Sequence, residues 1–183
     1  MDKMNFLQGF LRSPFEVGSV IPSSKTMVKR IGDFVQQEQP KTIVELGAGT
    51  GVFTQELKAY SDKQDAHLHV FEKDEKMRTN LKHQFPQLSL HEDALQLPDT
   101  LEQLELNGVD CIVCGLPFSL FPKSKTEELF KHIHANLNEG GCFMMYQYST
   151  HMKKRLIELF DDVSIHYVLL NIPPAFVYFC KKY

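Results

Sequence analysis

The order of short apolar runs along this chain restricts its fold more than any other feature. Between residues 42 and 160, runs rich in β-branched residues alternate with segments whose apolar residues recur every three or four positions, which predicts alternating strands and helices. The five alternating strands are predicted at 42–46, 67–72, 88–91, 109–115 and 142–148. Two further strands, 163–170 and 175–180, are separated only by residues 171–174, a connection that permits a hairpin but not a parallel crossover. We therefore expect an α/β fold with a Rossmann-like, seven-stranded, mostly parallel sheet, helices on both faces and a C-terminal antiparallel hairpin.

Composition places the chain among ordinary globular proteins. Its 183 residues are 43% hydrophobic and 23% charged, which predicts a single domain over residues 1–183. Within it, residues 1–24 are expected to form an N-terminal helix and loop that cover the ligand-binding site discussed below. The net charge of −3 is not the basic footprint of a nucleic-acid-binding domain, so a nucleic-acid partner is disfavoured.

Targeting signals are not recognisable in the sequence, which predicts a cytoplasmic location. The N-terminus does not have the layout of a secretory signal, and no apolar run approaches the roughly 18 residues of a membrane span. Residues 1–12 are amphipathic, so a peripheral contact with the inner membrane face is expected there.

Metal chemistry is not predicted. Cys111 and Cys114 have C-x-x-C spacing, but both lie in an apolar run that reads as a buried strand. Neither a second cysteine pair nor a nearby histidine completes a tetrahedral site, and the two His-x-His pairs have no carboxylate or cysteine beside them.

A glycine-rich turn follows the first predicted strand. Gly47 and Gly49 allow a tight turn without a Cβ to block a ligand, and Gly51 opens the next helix. The spacing is G-x-G-x-G, whereas dinucleotide-binding turns have G-x-G-x-x-G. Glu45 precedes the turn, where a carboxylate would repel a pyrophosphate but would attract a ligand ammonium. The pattern favours an adenosyl ligand over a dinucleotide.

Glu72 ends the second predicted strand, about twenty residues beyond the glycines. An acid at this distance is expected to bind ribose hydroxyls, because a short, fixed carboxylate can accept hydrogen bonds from both of them. Lys73 and Asp74 follow directly. We interpret Lys73 as a cofactor contact and Asp74 first as a helix cap.

Residues 44–51 together resemble motif I of class I S-adenosylmethionine-dependent methyltransferases. The resemblance implies S-adenosyl-L-methionine as cofactor, bound by Glu45, Gly47, Ala48, Gly49 and Gly51. It also implies contacts just past the third strand. There an acid of this superfamily accepts a hydrogen bond from the adenine amino group, and the matching residues are Asp93 with the backbone N–H of Ala94.

The fourth predicted strand ends in Gly115-Leu116-Pro117-Phe118, which partly matches the motif of amino-methylating enzymes. Those enzymes often have asparagine where this chain has Gly115, so the side-chain acceptor for a nucleobase amine is missing. We expect Gly115, Pro117 and Phe118 to contact the acceptor and Gly115 also to contact the cofactor. Tyr148 is expected to guide the loss of a proton from the amine.

Aromatic residues near these two strand ends are expected to form a wall. Tyr146, Tyr148 and Phe118 could together favour a partly methylated cation.

Four other stretches give a closer resemblance, to the bacterial phospholipid N-methyltransferase family and its ribosomal RNA adenine dimethylase-like relatives. They are residues 17–24 (VGSVIPSS), 115–118 (GLPF), 146–150 (YQYST) and 171–175 (NIPPA). The resemblance implies an amine-bearing acceptor, a phospholipid head group such as phosphatidylethanolamine. The third stretch departs from the family's aromatic-Thr-Tyr pattern, which leaves the acceptor open.

Three alternatives remain at the level of sequence. They are an RNA adenine N6-methyltransferase, a small-molecule N-methyltransferase and a cofactor-binding protein without turnover. The first is supported by Leu116-Pro117-Phe118 and opposed by Gly115 and the acidic net charge.

Overall fold

A computed structural model describes residues 25–169 and 174–183. The expected N-terminal helix and loop over 1–24, the membrane contact through 1–12 and the turn of the terminal hairpin at 170–173 lie outside these residues. Ser24, a candidate cap for the first described helix, lies outside them as well.

Seven strands of the described residues form one sheet in the order β3-β2-β1-β4-β5-β7-β6. β1 to β5 pair in parallel, and β7 pairs antiparallel with both β5 and β6. The strands are β1 Thr42–Leu46, β2 His67–Phe71, β3 Ser89–His91, β4 Val109–Cys114, β5 Leu137–Gln147, β6 Asp162–Val168 and β7 Ala175–Lys181. The predicted Rossmann-like sheet with its closing hairpin is confirmed.

Helices cover both faces of the sheet. The first face carries α1 Lys25–Glu38, α2 Val52–Gln64 and α3 Glu75–Gln84. The second face carries α4 Leu97–Gln103, α5 Lys123–Asn136 and α6 Lys153–Leu159. Each face has its own apolar core. Residues of β1 alternate between the two cores, so Ile43 packs on the first face and Val44 on the second.

Local signals explain some helix boundaries and mislead at others. Asp74 caps α3 as expected, because its side chain accepts a hydrogen bond from the Met77 N–H at 2.9 Å. Residues 124–127 (Ser-Lys-Thr-Glu) match a capping box in sequence, but the helix does not begin there. Pro122 has extended backbone, and its carbonyl accepts from the Thr126 N–H, so α5 already begins at Lys123.

Tertiary contacts extend two elements beyond the sequence prediction. β5 begins at Leu137 instead of Cys142, because Leu137 pairs with Val109 and the Gly140 N–H donates to the Lys182 carbonyl. Helix α4 was not predicted at all. It is short, and Pro98 in its first turn looks like a helix breaker in sequence but is tolerated at that position.

The strand order places the site. β1 lies between β2 and β4, so the connections that follow β1 and β4 leave the sheet toward opposite faces and open a crevice between them. The carboxyl ends of β1 to β5 lie along one side of the sheet, called the carboxyl edge below, and Gly47, Glu72, Asp93 and Gly115 follow these strand ends. Among the described residues, no helix has the length and apolar character needed to cross a bilayer.

Candidate active site

The glycine-rich turn between β1 and α2 is held by backbone hydrogen bonds to β2. The Gly47 and Ala48 N–H groups both donate to the Phe71 carbonyl, at 2.8 and 3.3 Å. Gly47, Gly49 and Gly51 have φ values of 78°, 57° and 86°, a left-handed region that a side chain disfavours. The three glycines are therefore required by the path of the chain as well as by space for a ligand.

Glu72 ties this turn to the end of β2. Its carboxylate accepts from the Gly49 N–H at 2.7 Å and from the Asp74 N–H at 2.8 Å. The side chain is buried and still lines the cavity described next. Since each carboxylate oxygen has two lone pairs and only one is engaged in each of these bonds, both oxygens keep acceptor capacity for a diol.

A cavity of about 310 Å³ opens beside Gly47 and Glu72 at the carboxyl edge. Its lining combines apolar side chains with charged ones. The lining residues are Gly47, Phe71, Glu72, Lys73, Glu92, Asp93, Ala94, Leu95, Leu116, Phe121, Pro122, Lys125 and Leu129. The volume lies in the range of small-ligand pockets, which begins at roughly 300 Å³.

Asp93 and Lys73 form an ion pair on the rim of this cavity. The Lys73 Nζ lies 2.8 Å from Asp93 Oδ2, and Asp93 Oδ1 accepts from the Leu95 N–H at 3.0 Å. Partial burial works against ionisation of Asp93, but these two hydrogen bonds and the charge of Lys125 outweigh it and lower its pKa. The same hydrogen bond to Asp93 raises the pKa of Lys73. Asp93 is thus an ionised acceptor next to the Ala94 backbone.

Glu45 is buried beneath the turn with one carboxylate oxygen unsatisfied. Oε2 accepts from the Thr54 hydroxyl at 2.7 Å, whereas Oε1 has no hydrogen-bond partner among the described residues. Burial raises the pKa of Glu45 to about 7; the Thr54 hydrogen bond opposes this rise and the nearby charge of Glu72 adds to it. A buried acid with a free oxygen is incomplete, and a ligand cation would complete it.

Gly115 lies where β4 comes closest to the glycine-rich turn. A Cβ at this position would be 2.7 Å from the Gly47 carbonyl oxygen, a distance that real Cβ atoms essentially never show. The Gly115 N–H donates to the Leu46 carbonyl at 2.8 Å, which fixes the approach. Glycine in place of the asparagine of other amino-methylating enzymes is therefore dictated in this chain by backbone packing.

Two tyrosines border the same crevice on the first face. The rings of Tyr146 and Tyr148 are 6.1 Å apart, and Tyr146 also makes an edge contact with Phe53 at 5.4 Å. Tyr146 lies 3.7 Å from the position a Gly115 Cβ would take. Burial raises the pKa of Tyr146, so its hydroxyl stays protonated.

Phe118 does not join this wall, and the expected stacking role is corrected. It is only 3% exposed and stacks on Phe130 at 4.8 Å, in the core of the second face. After Pro117 the chain makes a short 3-10 turn, Phe118–Leu120, that turns the ring inward. Pro117 itself remains half-buried next to the crevice.

Three residues of the site were not found by sequence reasoning. Phe53 and Thr54 lie in the first turn of α2, where they read as ordinary helix residues. Gln147 is buried in β5, and its side-chain amide donates to the Leu116 carbonyl at 3.0 Å, which joins the ends of β4 and β5. For Thr54 the sequence gives one signal: Glu45 precedes Gly49 by four positions and Thr54 by nine. No local pattern marks Phe53 or Gln147.

The arrangement fits S-adenosylmethionine at three points. The apolar cavity with Asp93 at its rim suits an adenine ring, the Glu72 carboxylate suits the ribose diol, and the free oxygen of Glu45 suits an ammonium. The strongest of the three is the Glu45 oxygen, which is buried without a hydrogen-bond partner among the described residues.

Comparison with known proteins agrees with this geometry. A family model described as a methyltransferase domain matches residues 43–141. The ornithine lipid N-methyltransferase of Singulisphaera acidiphila is 29% identical over 96% of this chain and 94% of its own length.

Solved structures share the fold at low identity. The O-methyltransferase from Bacillus cereus in complex with S-adenosylhomocysteine has a TM-score of 0.71 at 14% identity, over 100% of this chain and 93% of that one. The magnesium protoporphyrin IX methyltransferase from Synechocystis PCC 6803 with bound S-adenosylmethionine has a TM-score of 0.69 at 11% identity, over 100% and 86%.

Proposed function

This chain belongs to the methyltransferase domain family and is an S-adenosylmethionine-dependent methyltransferase, and from that premise we propose that its acceptor is the amine of a lipid head group. The observation that carries the proposal is the match to an ornithine lipid N-methyltransferase, which extends over nearly the whole of both chains. The sequence resemblance to phospholipid N-methyltransferases supports the same class, with phosphatidylethanolamine as the second candidate lipid.

On the donor side, the chain's residues hold the cofactor and aim its methyl group. Glu72 takes the ribose, Asp93 with the Ala94 N–H takes the adenine edge, and Lys73 keeps Asp93 ionised and oriented. Glu45 takes the ammonium of the methionyl part. Gly47, Ala48, Gly49 and Gly51 shape the backbone that contacts the adenosyl group.

On the acceptor side, the residues align the amine and keep water away. S-adenosylmethionine supplies an activated methyl group when bound, so alignment of donor and acceptor is the main task left to the protein. The backbone of Gly115 and the ring of Pro117 border the place where the amine enters. The Tyr148 hydroxyl accepts an amine N–H, which turns the nitrogen lone pair toward the methyl group.

The neighbouring rings of Tyr146 and Tyr148 suit the change of charge during transfer. As the bond between the amine nitrogen and the methyl carbon forms and the carbon–sulfur bond of the donor breaks, the positive charge passes from sulfur to nitrogen, and aromatic faces stabilise such a cation by about 0.5–2 kcal/mol. Alkylated ammonium groups are recognised in this way.

A lipid amine explains the site better than a nucleobase. A flat adenine needs a side-chain acceptor and an aromatic ring at the end of β4. Gly115 cannot carry the first, because a Cβ would meet the Gly47 carbonyl, and Phe118 does not supply the second, because it is buried in the other core.

The test is methyl transfer to defined acceptors. Purified protein with labelled S-adenosylmethionine is incubated with vesicles containing ornithine lipid, with vesicles containing phosphatidylethanolamine, and with ribosomal RNA. We expect label in an aminolipid and not in the RNA. Label in RNA alone, or in no lipid at all, would refute the proposal.

A matched pair of variants localises the chemistry. Tyr148→Phe removes the hydroxyl at the site, whereas Tyr183→Phe removes one from an exposed residue at the opposite end of the strands. We expect the first to lower kcat by at least about tenfold, the low end of what a positioned proton-transfer group contributes, and the second to leave kcat unchanged. Equal rates for both would remove Tyr148 from the site.

A further inference from the structure

In the half of the molecule formed by β4 to β7, positive and negative side chains are concentrated at opposite ends of the strands. Its connections at the carboxyl edge, residues 115–126 and 148–155, contain no Asp or Glu. The same two segments carry five fixed cations, Lys123, Lys125, Lys153, Lys154 and Arg155.

The opposite edge has the reverse composition. Residues 102–110, 136–141 and 156–162 connect helices to β4, β5 and β6, and they contain no Lys or Arg. They carry seven acids, Glu102, Glu105, Asp110, Glu139, Glu158, Asp161 and Asp162. Lys181 and Lys182 also lie at this edge, at the end of β7, where they pair with Glu38 and Glu139. The seven acids outnumber them, so a net charge of −3 conceals a separation of charge along this half of the molecule.

Large apolar side chains are exposed beside the cations. Leu120 lies in the connection after β4, Tyr167 is the penultimate residue of β6, and Leu169 directly follows that strand. They are 40%, 50% and 69% exposed. Exposed apolar residues are common singly, but here they lie at the edge that holds the cations and the methyl-transfer site.

The four lysines among these cations are exposed and available to a partner, whereas Arg155 is part-buried over the Phe130 ring and pairs with Glu127. Lys123 and Lys154 have side chains 91% and 89% exposed, and their pairs with Glu127 and Glu158 are long i,i+4 contacts of 3.9 and 3.6 Å. Pairs of this kind contribute little and do not remove the charge from solvent.

We propose that this carboxyl edge, residues 115–126, 148–155 and 165–169, docks on the surface of an anionic lipid bilayer, with the crevice facing the head groups. The cations supply long-range attraction and orientation, because the acidic edge is repelled from the same surface. Leu120, Tyr167 and Leu169 then enter the interface between head groups and acyl chains. The inference deepens the proposed function and rests on it in one respect, that the acceptor amine lies in a bilayer.

Sedimentation with vesicles tests the docking without any turnover. The full chain is mixed with vesicles of phosphatidylcholine, with and without phosphatidylglycerol, at low and at high salt. We expect sedimentation that requires phosphatidylglycerol and is lost at high salt. A chain that sediments equally with both vesicles, or that binds RNA and not vesicles, would overturn the proposal.

Charge variants locate the surface. The double variant K153E/K154E reverses two cations at the carboxyl edge, and K63E/K82E makes the same change in the last turns of α2 and α3, at the other edge. One lysine near an anionic membrane contributes about fivefold to partitioning, so we expect the first variant to weaken binding by about 25-fold or more. The second is expected to bind like the wild type, and an equal loss in both would contradict the proposal.

Apolar variants provide a second, independent locator. Y167S and L169S are compared with Y183S and L104S, whose side chains are exposed at the opposite edge. Weaker binding in the first pair alone supports the proposal, and equal binding in both pairs overturns it.

Activity on lipid dispersed in detergent separates the two proposals. If K153E/K154E methylates dispersed lipid normally but vesicles poorly, docking and lipid methylation both stand. If the wild type binds anionic vesicles but methylates no lipid in either form, the proposed function fails and the docking surface remains. If the wild type methylates dispersed lipid without binding vesicles, docking fails and the proposed function remains.

Discussion

Removing the charge of Glu45 should change how cofactor binding depends on pH. Its carboxyl is buried with one free oxygen, and burial raises its pKa from 4.5 to about 7. If the cofactor ammonium binds only the ionised form, a pKa of about 7 makes affinity rise by about eightfold between pH 6 and pH 7.5. In Glu45→Gln we expect affinity to be weaker at pH 7.5 and nearly independent of pH over this interval.

Glu45 should also make the stability of the cofactor-free protein depend on pH, but in the opposite direction to cofactor affinity. The folded state holds the Glu45 proton up to a higher pH than the unfolded state does, so this contribution to the free energy of unfolding is present below pH 4.5 and is lost as pH rises through about 7. The difference between these pKa values corresponds to about 3 kcal/mol. Denaturant unfolding of the wild type and of Glu45→Gln across this range measures the contribution as a difference.

Calorimetry in two buffers of different ionisation enthalpy is the assay for binding. At pH 6.5 we expect the wild type to release a proton when the cofactor binds, and Glu45→Gln to release none. Thr54→Val provides a control in the other direction, because it removes the hydrogen bond that favours the charged form and should move the pH dependence upward. Identical pH profiles for the wild type and Glu45→Gln would refute the reasoning.

Three further substitutions test other parts of the structure. Glu72→Ala should weaken cofactor affinity by about 1–3 kcal/mol, the scale of hydrogen bonds to a charged group, as measured by calorimetry. Gly115→Ala should lower the free energy of unfolding by about 1–3 kcal/mol and weaken cofactor binding, because its Cβ would meet the Gly47 carbonyl at 2.7 Å. His69 is buried beside Ser89, and burial lowers its pKa from 6.5 to about 4, with the charge of neighbouring histidines adding to the effect. The free energy of unfolding should therefore fall by about 3 kcal/mol as pH falls from 6.5 toward 4, because the folded state disfavours protonated His69. His69→Gln should not show this fall.

Matched controls keep these outcomes separate from general damage. Glu75→Ala changes an exposed acid three residues from Glu72 and should leave affinity unaltered. Gly32→Ala meets only the flexible side chain of Glu56, so it should be tolerated. Affinity unchanged by Glu72→Ala, stability unchanged by Gly115→Ala, or equal acid sensitivity of His69→Gln and the wild type would each contradict the corresponding argument.

The positions of the residues proposed to bind the donor were predictable because these residues are local in sequence. The glycine-rich turn follows its strand directly, and Glu72 ends the next one, so their spacing places them at one edge of a parallel sheet. The parallel sheet follows from the alternation of strands and helices, and the closing hairpin from a connection too short for a crossover, whereas the order of the strands is visible only in the structure. Asp74 as a helix cap needed only the residues beside it.

The acceptor half was less predictable because it depends on which face a side chain takes. Phe118 was placed in the aromatic wall, yet the short helical turn after Pro117 sends it into the second core. Phe53 contacts Tyr146, which lies 93 positions further along the chain, and Gln147 donates to Leu116, which lies 31 positions before it. No local pattern marks such distant contacts. Gly115 was noticed as a missing asparagine, but its cause, the approach of the Gly47 carbonyl, is visible only in three dimensions.

A crystal structure with S-adenosylhomocysteine tests the central claim most directly, that the crevice between β1 and β4 is the cofactor site. We expect the ribose hydroxyls at the Glu72 carboxylate, the adenine in the cavity between Leu95 and Leu116, and the ammonium at the free oxygen of Glu45. A nucleoside bound elsewhere, or a crevice closed by the protein's own side chains, would contradict the account.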